Sequence, residues 1–562
     1  MRKFGGKKSN HEIEPDEILI DAANLPEFET ERLEGRIERP LNALMYRRFT
    51  QVGLALGLIA ILQLLNLQII QQDTLIARAE DNRLTHTTVL AERGVITDRS
   101  GASLVENVYG DGDVATRHYV LGDAAAQITG YVTYPKKDPN GYWYQDMTEG
   151  ISGIEHIFDV HLAGVNGLEI AETDARGDLV SGNTVRQAQS GDQVTLSLDR
   201  ELQQLLYTVI KERADESRWS GGAGVIMDVS SGEIIALANY PSFDPEKMSL
   251  GEPKEYVQDV LQDPRAPLLN RAVAGLYTPG SVVKPFIAAA ALENHIISPE
   301  KQILSTGSIS VPNPYNPSKP SVFKDWKAHG WVDMRHALAV SSDVYFYSIG
   351  GGFEDQQGLG IAAIEQSLRS FGFGDTTGAM FAGEEHGVIP NPEWKAQHFD
   401  GERWFLGDTY ITSIGQYGFQ VTLMQLVRAT AAIANGGWLM TPTIEATAQG
   451  ARMKISFSDK NLSVVRDGMK LAVDEGTAQS LRVPGVQVSA KTGTAEIGAR
   501  KEFINSLVIG YFPSEEPRYA FAVVMERGAA GTLQGAPAVM QKVLQWVVSA
   551  RGSMTRADIS SR

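Results

Sequence analysis

The chain has 562 residues, which is too long for one ordinary domain, so we expect two or more folded parts. Its 43% hydrophobic content, with 55 glycines and 24 prolines, is typical of a globular, loop-rich protein. The formal net charge of -17 argues against the broad basic surface of a nucleic-acid-binding protein. Cysteine is absent, which excludes disulfides, thiolate metal sites and a cysteine nucleophile.

A long apolar segment follows a polar N-terminus. Residues 49–70, FTQVGLALGLIAILQLLNLQII, carry no formal charge. A helix of this length reaches roughly 33 Å, the thickness of a bilayer core, so we predict a single transmembrane anchor. A cleaved signal peptide is the rival interpretation, but the preceding 48 residues are too many for its charged leader and no cleavage pattern follows.

Arginines are distributed unequally about this segment, with more before it than after it. By the positive-inside rule we expect the N-terminus to face the cytoplasm and everything after residue 71 to lie outside the cytoplasm. Residues 1–48 are polar and lack an apolar period, so we predict a mostly disordered cytoplasmic tail. The arginines within about 20 residues of the segment are Arg32, Arg36, Arg39, Arg47 and Arg48 before it, and Arg78 and Arg83 after it.

The apolar segment also contains small and polar residues. Gly53 and Gly57 form a small-x-x-x-small pair, and Gln63, Asn66 and Gln68 place amides in the segment. Both features could mark a face for a partner helix. Alternatively, glycine is simply common in such helices and the amides lie near the outer interface, and the sequence leaves both interpretations open.

Two α+β parts are predicted after the anchor. Residues 71–190 show short strand-like runs, among them AQITGYVTY at 126–134, and a helix near 153–164. Residues 191–550 contain longer helical patterns and buried strands, with a hairpin at 222–240 and strands near 488–497, 505–513 and 518–528. Helices between early and late strands predict one sheet that is assembled from distant segments. Residues 551–562 are expected to be a frayed tail.

The stretch YTPGSVVKPF contains Ser281 and Lys284, which are three residues apart. On a helix they share a face, so an amine would stand beside a hydroxyl, and that pairing can make a nucleophile. The Ser-x-x-Lys pattern has little specificity by itself, because it recurs at Ser298 to Lys301 and at Ser321 to Lys324. Proline follows Ser298, so we interpret that serine as a helix cap.

Two further motifs follow Ser281. An SSD motif begins at Ser341 and a KTGT motif begins at Lys491, 60 and 210 residues after Ser281. Alone, the first would be a helix cap and the second an ordinary turn. In this order, Ser-x-x-Lys, Ser-x-Asp and Lys-Thr-Gly resemble the active site of serine penicillin-recognising enzymes.

The resemblance extends over residues 71–548. Residues 191–550 resemble the α+β serine transpeptidase domain of class B penicillin-binding proteins, a penicillin-binding/β-lactamase-like fold. Residues 71–190 resemble their α+β pedestal, a dimerisation-like domain with a shortened head, through RGVITDRSG at 93–101 and SGIEHIFDVHLAG at 152–164. Within the class, KDWKAHG before the SSD motif resembles penicillin-binding protein 2, the cell-elongation branch. Division enzymes usually have Ser-x-Asn there, and they stay the alternative.

The resemblance implies a peptidoglycan D,D-transpeptidase with carboxypeptidase activity as a possible side reaction. Ser281 would attack the D-Ala-D-Ala carbonyl, with Lys284 favoured as the base and Lys491 as a second cation that lowers its pKa. Ser341 would relay a proton, and Ser281 and Thr494 would donate backbone N–H groups to the oxyanion. No cofactor or metal is expected. The substrate-binding residues would be Asp343, Thr492, Gly493 and Thr494.

Partners follow from the same resemblance. They are peptidoglycan stem peptides, β-lactams as covalent inhibitors, the membrane, and a SEDS-family glycan polymerase that touches the anchor and pedestal. A class A bifunctional enzyme is disfavoured because residues 71–190 are too few for a glycosyltransferase domain. A non-catalytic scaffold or β-lactam sensor stays a rival. Glu246 and Glu496 depart from the asparagine and glutamine that are frequent in the class.

Overall fold

The computed structural model describes residues 43–81, 84–110, 114–139, 142–173, 179–313, 315–316, 318–446, 448, 450–498 and 500–551. Most of the predicted N-terminal tail and nearly all of the predicted C-terminal tail lie outside these residues. The described chain divides into two compact units. The first takes in residues up to 85 with residues 171–181, and the second takes in residues 86–170 with those from 182 onward.

The first unit contains the apolar segment. An α-helix runs over Ala43–Leu65, a π-helical turn over Asn66–Ile70, and a further helix over Gln72–Asp81. By length and composition, the stretch Leu44–Ile70 could cross a membrane, and its mean hydropathy reaches 2.0. The helix begins before the predicted anchor, so the last residues of the predicted tail are helical.

The pedestal part of the second unit is built from short elements. A four-stranded sheet has the order Val194–Thr195, Ile96–Thr97, Ser103–Val108 and Thr116–Tyr119. Val132–Thr133 pairs with Glu149–Gly150, and Lys136–Lys137 pairs with Trp143–Gln145. Three strands have residues in both units: Leu84–Val89, Gly167–Thr173 and Leu179–Arg186. The helical elements are Gly122–Ala124 (3-10), Ala126–Thr129, Gly153–Ile157 and Asp159–Leu162.

Buried charges connect the two pedestal motifs. Glu155 is fully buried, and its carboxylate accepts hydrogen bonds from Arg93 Nε at 2.6 Å and from Arg117 Nε at 2.8 Å. Arg93 Nη2 also donates to Asp159 at 2.7 Å. Because a buried charge must be paired, RGVITDRSG and SGIEHIFDVHLAG depend on each other.

The central sheet of residues 191–550 has five antiparallel strands from distant segments, as predicted. Their order is Ile234–Tyr240, Gly221–Asp228, Tyr519–Ala529, Phe503–Phe512 and Ser489–Ile497. Alternation along the strands places Val225 and Val524 in one core layer and Ile226 and Val523 in the other. Helix Leu423–Ala434 belongs to the first layer and is buried on every side except at Arg428. Helices Arg200–Ser217 and Ala536–Arg551 contribute to the second layer.

The remaining elements surround this sheet. In helix Lys284–Glu293, residues 285–292 are all apolar, and the helix lies in the core. Three strand pairs are Ile303–Ser305 with Gly330–Val332, Ser308–Val311 with Ser321–Lys324, and Trp438–Met440 with Arg452–Lys454. The other helical elements are Pro245–Leu250, Lys254–Gln262, Arg271–Ala274, Gly280–Val283 (3-10), Met334–Val340, Asp343–Gly351, Gly360–Ser370, Pro392–His398, Leu406–Ser413, Asp459–Asp474 and Gln479–Leu481 (3-10).

Glu246 connects the pedestal to the transpeptidase part. It lies on helix Pro245–Leu250, and its Oε1 accepts the backbone N–H of Tyr119 at 3.1 Å. The same oxygen lies 2.8 Å from His118 Nδ1. A carboxylate at this position therefore has two partners on the pedestal strand Thr116–Tyr119, which gives a physical reason for the departure from asparagine.

Two local predictions are wrong. Ser298 does not cap a helix, because the chain makes a single turn in which Lys301 N bonds Ser298 O, and a strand begins at Ile303. Proline suits a turn as well as a first helical residue. The run at 126–134 is not one strand, because Ala126–Thr129 is a helix whose Ala126 packs with Phe243 and Met248. Tertiary packing overrode the local pattern there.

Candidate active site

Ser281 lies in a tight turn that leads into a buried helix. The 3-10 segment Gly280–Val283 continues into helix Lys284–Glu293, so Ser281 and Lys284 are one helical turn apart, as predicted. Ser281 is half-buried, whereas Val282, Val283 and Lys284 are buried. The buried neighbours hold this nucleophile turn, defined as residues 279–284, and leave only its serine accessible.

Two glycines fit the nucleophile turn to its surroundings. Gly280 has a φ of +54°, which glycine adopts at little cost, and its N–H donates to Gly415 O at 2.9 Å. A Cβ at Gly493 would lie 2.9 Å from both Pro279 O and Val282 Cγ1. Glycine at 493 therefore lets strand Ser489–Ile497 approach the nucleophile turn closely.

The SSD motif forms the junction of two helices. Helix Met334–Val340 ends at Ser341, which has a φ of +59°, and Ser342 then caps helix Asp343–Gly351. A left-handed conformation is unusual for serine and persists only where neighbouring contacts fix it. We call residues 341–343 the SSD turn.

Lys284 is fully buried and lies against the SSD turn. Its Nζ donates to Ser341 O at 2.9 Å, to Ser341 Oγ at 3.2 Å and to Asp343 Oδ1 at 2.5 Å. Three acceptors match the three N–H groups of an ammonium ion. The carboxylate of Asp343 is the one acidic group among these three acceptors, so Lys284 and Asp343 form a buried ion pair.

Lys491 approaches the same serine from the opposite side. It is fully buried, and its Nζ lies 2.9 Å from Ser341 Oγ and 2.8 Å from Thr492 O. Burial, followed by the charge of Lys284, lowers the pKa of Lys491 well below its ordinary value, and Asp343 opposes this only in part. A neutral amine is therefore easier to reach at Lys491 than at an ordinary lysine.

Side chains alternate along the KTGT strand, Ser489–Ile497. Lys491 and Gly493 belong to its buried face, whereas Thr492 is half-buried and Thr494 is exposed. Thr492 Oγ1 donates to Thr477 Oγ1 at 3.0 Å. Glu496, also exposed, pairs with Lys501. The exposed face therefore offers hydroxyls to a ligand, and the buried face holds the amine.

The predicted site residues come together to different degrees. Lys284, Ser341, Asp343 and Lys491 form one hydrogen-bonded cluster. Within the part of the chain that the structure describes, Ser281 Oγ makes no hydrogen bond to that cluster. Sequence reasoning missed Thr477 and Gly415, which no motif marks. The described residues also contain no group of three or more His, Cys, Asp or Glu that could hold a metal ion.

The family assignment follows from comparison with known proteins. The family described as penicillin-binding protein transpeptidase domain matches residues 222–545, which is more than half of the chain. The chain belongs to the penicillin-binding protein transpeptidase family. A second match, to the penicillin-binding protein dimerisation domain, covers residues 112–196, which include much of the pedestal.

Two relatives with the same printed name illustrate the similarity. The chain is 32% identical to the peptidoglycan D,D-transpeptidase MrdA of Acinetobacter baumannii over 447 residues, 74% of this chain and 64% of that protein. It is 27% identical to MrdA of Escherichia coli over 470 residues, 77% of this chain and 71% of that protein. The chain thus spans about two thirds of the length of these relatives.

Solved structures agree on the fold. Pseudomonas aeruginosa penicillin-binding protein 2, in complex with WCK 5153, matches with a TM-score of 0.68 and 27% identity, over 84% of this chain and 99% of that one. The complex of penicillin-binding protein 2 and MreC from Helicobacter pylori matches with a TM-score of 0.70 and 24% identity, over 84% and 99%. The second match supports the fold alone.

Proposed function

We propose that the protein is a peptidoglycan D,D-transpeptidase that cross-links stem peptides through an acyl-enzyme on Ser281 during cell-wall elongation. The observation that carries the proposal is the buried cluster of Lys284, Ser341, Asp343 and Lys491 against which the Ser281 turn packs. Names of the relatives and the family match support the same activity.

The proposed reaction has two acyl-transfer steps. Ser281 Oγ gives up its proton through Ser341 and bonds to the carbonyl carbon of the penultimate D-alanine, and the C–N bond to the terminal D-alanine breaks after its nitrogen receives a proton. An acceptor amine then attacks the ester carbonyl, loses a proton and releases Ser281 as a hydroxyl. Backbone N–H groups of Ser281 and Thr494 are the proposed oxyanion donors.

The geometry favours a different base from the one expected from the sequence. Lys284 donates to three oxygens and is paired with Asp343, so in this resting arrangement it lacks a free lone pair. Lys491 has the lowered pKa and lies next to Ser341 Oγ. We therefore assign the neutral amine to Lys491, the relay between Ser281 and that amine to Ser341, and the orientation of Ser341 to Lys284.

Substrate binding is assigned to the exposed face of the KTGT strand. Thr494 is exposed and Thr492 half-buried, so their hydroxyls can reach the terminal carboxylate of a stem peptide. Lys491 is fully buried, so its influence on that carboxylate acts through Thr492 and the strand. Gly493 permits close approach of the strand to the nucleophile turn.

The proposal is tested by turnover of the full-length chain in detergent. A stem pentapeptide ending in D-Ala-D-Ala is incubated with a labelled D-amino acid as acceptor, and exchange of the terminal residue is followed beside Ser281→Ala. We expect exchange that the variant lacks. Release of D-alanine without exchange would indicate a carboxypeptidase. Neither product from protein that penicillin still acylates would favour the sensor interpretation.

Membrane placement and cellular role complete the proposal. The apolar segment at 49–70, within the helical stretch Leu44–Ile70, is proposed as a single-pass anchor in the inner membrane, with the N-terminus in the cytoplasm and the catalytic part outside. A SEDS-family glycan polymerase is the proposed partner at this helix and at the pedestal. Depletion of the protein in its host should give rounded cells if it serves elongation, whereas filaments would favour division.

A further inference from the structure

Asp325 lies directly behind the SSD turn. It follows strand Ser321–Lys324, and its carboxylate is fully buried. Oδ2 accepts the hydroxyl of Ser342 at 2.9 Å and the backbone N–H of Val344 at 3.0 Å. These two residues flank Asp343, so one carboxylate oxygen holds the chain on both sides of the residue that pairs with Lys284.

The other contacts of the Asp325 carboxylate are with residues in and next to the neighbouring strands. Oδ1 accepts the backbone N–H of Trp326 at 2.8 Å, and Oδ2 also accepts the hydroxyl of Ser305 at 3.2 Å. His329 Nε2 lies 3.4 Å from Oδ1, and its side chain is buried. Asp325 therefore connects strands Ser321–Lys324 and Ile303–Ser305 to the start of helix Asp343–Gly351.

A carboxylate that accepts hydrogen bonds stabilises a helix most strongly at the start of that helix. The first N–H groups of a helix have no partner within the helix, and a carboxylate near them is favoured by the helix dipole. Val344 N–H is one of these groups, and Asp325 accepts it. Ser342 N–H bonds Ala337 O at 3.0 Å, so the SSD turn is held from both helices.

Ser341 needs this support because its backbone is unfavourable by itself. Its φ of +59° is rare for serine, yet this conformation aims Oγ between Lys284 and Lys491. Asp325 itself does not contact either lysine in the described hydrogen bonds. Its effect must pass through the SSD turn.

We propose that Asp325 is a positioning residue that fixes Ser341 and Asp343 in their reactive places by holding Ser342 and Val344. This inference rests on the proposed acylation of Ser281. It gives the KDWKAHG segment a physical role in the reaction, through hydrogen bonds that cross from a strand pair to the catalytic turn.

The test compares acylation rates of folded full-length protein in detergent, using a fluorescent penicillin. Asp325→Ala should lower the second-order rate constant about 100-fold, the loss typical of a small misplacement of reacting groups. Asp325→Asn should recover most of it, because the amide oxygen can accept the same two hydrogen bonds. Asp333→Ala is the control. Asp333 accepts His336 N–H at the far end of helix Met334–Val340, so its loss should lower Tm but leave the rate unchanged.

A second matched pair covers the case in which Asp325→Ala does not fold. Ser342→Ala and Ser305→Ala each remove one hydroxyl that donates to Asp325, from the turn side and from the strand side. Ser342→Ala should slow acylation by about tenfold, the value of one charge-assisted hydrogen bond, and Ser305→Ala should slow it less, because Trp326 N–H still holds the carboxylate on that side. Equal rates in these variants and the wild type would overturn the positioning role. A wild type that is not acylated at all would overturn the proposed function, and this inference with it.

Discussion

The Nζ atom of Lys491 lies 2.9 Å from the hydroxyl oxygen of Ser341, and the Nζ atom of Lys284 lies 3.2 Å from the same oxygen. The two lysines are buried but differ in their other contacts. Lys284 is paired with Asp343, whereas Lys491 faces the carbonyl of Thr492. One serine hydroxyl can therefore accept from a charged amine and donate to a neutral one, which suits a proton relay.

We predict that the rate constant for acylation by benzylpenicillin rises with pH and levels off well below pH 10.5, the ordinary pKa of a lysine. Burial and the charge of Lys284 lower the pKa of Lys491, so its neutral, proton-accepting fraction grows as pH rises through that lowered value. Stopped-flow measurement across pH would check this. Removing the second cause with Lys284→Met should move the midpoint upward. A midpoint near pH 10.5 in the wild type would contradict the assignment.

The Lys284–Asp343 pair gives a prediction about stability. Asp343→Ala leaves a buried ammonium without its carboxylate and should lower the free energy of unfolding by about 3 kcal/mol. Lys284→Met combined with Asp343→Ala should restore most of this loss, because no unpaired charge then stays buried. Denaturant unfolding of the full-length chain measures both variants.

The control for the Lys284 and Asp343 variants is an ion pair on the protein surface. Lys470 and Asp474 are 2.7 Å apart on a helix surface, with about half of each side chain exposed. Asp474→Ala should change the free energy of unfolding by less than about 1 kcal/mol. Equal losses from Asp343→Ala and Asp474→Ala would show that the pair in the site is not desolvated as described.

Much of the fold could be predicted from local patterns. The hairpin at 222–240 and the strand that carries Lys491 have short apolar runs bounded by turn residues, and both are confirmed. The order of the motifs indicated the family resemblance. That resemblance predicted that Ser341 and Lys491 lie in one site, although they are far apart in the sequence. The family assignment is confirmed by the match over residues 222–545.

The features of the fold and of the site that the sequence did not predict depend on contacts between distant segments. The proposal that Lys491 supplies the neutral amine depends on its burial and on the carboxylate of Asp343 beside Lys284, and motif spacing contains neither. The turn at Ser298 and the helix Ala126–Thr129 depend on what each packs against. Asp325 was visible only as part of a resemblance, since nothing in the sequence shows that it contacts Ser342.

Gly493 gives a prediction about close packing. Gly493→Ala would bring a Cβ to 2.9 Å from Pro279 O and Val282 Cγ1, so the nucleophile turn must move away from the KTGT strand. We expect the acylation rate to fall about 100-fold. Gly110→Ala is the control, because a Cβ there has nothing within 4 Å. A Gly493→Ala enzyme with the wild-type rate would show that the turn tolerates the displacement.

The anchor gives a prediction about partner binding. Gly53 and Gly57 lie four residues apart on helix Ala43–Leu65, and small residues at this spacing let a partner helix approach closely. Gly57→Leu should reduce co-purification of the proposed glycan polymerase from membranes. Ala55→Leu puts the same leucine side chain on the opposite side of the helix and should have no effect. Equal recovery of the polymerase with both variants would count against a partner face at Gly57.

The central claim is that Ser281 forms the acyl-enzyme. It is tested most directly by the intact mass of the full-length chain after benzylpenicillin, beside Ser281→Ala, Ser298→Ala and Ser321→Ala. The account predicts one added drug mass in the wild type and in the last two variants, and none in Ser281→Ala. An adduct that persists in folded Ser281→Ala, or no adduct on folded wild-type protein, would contradict it.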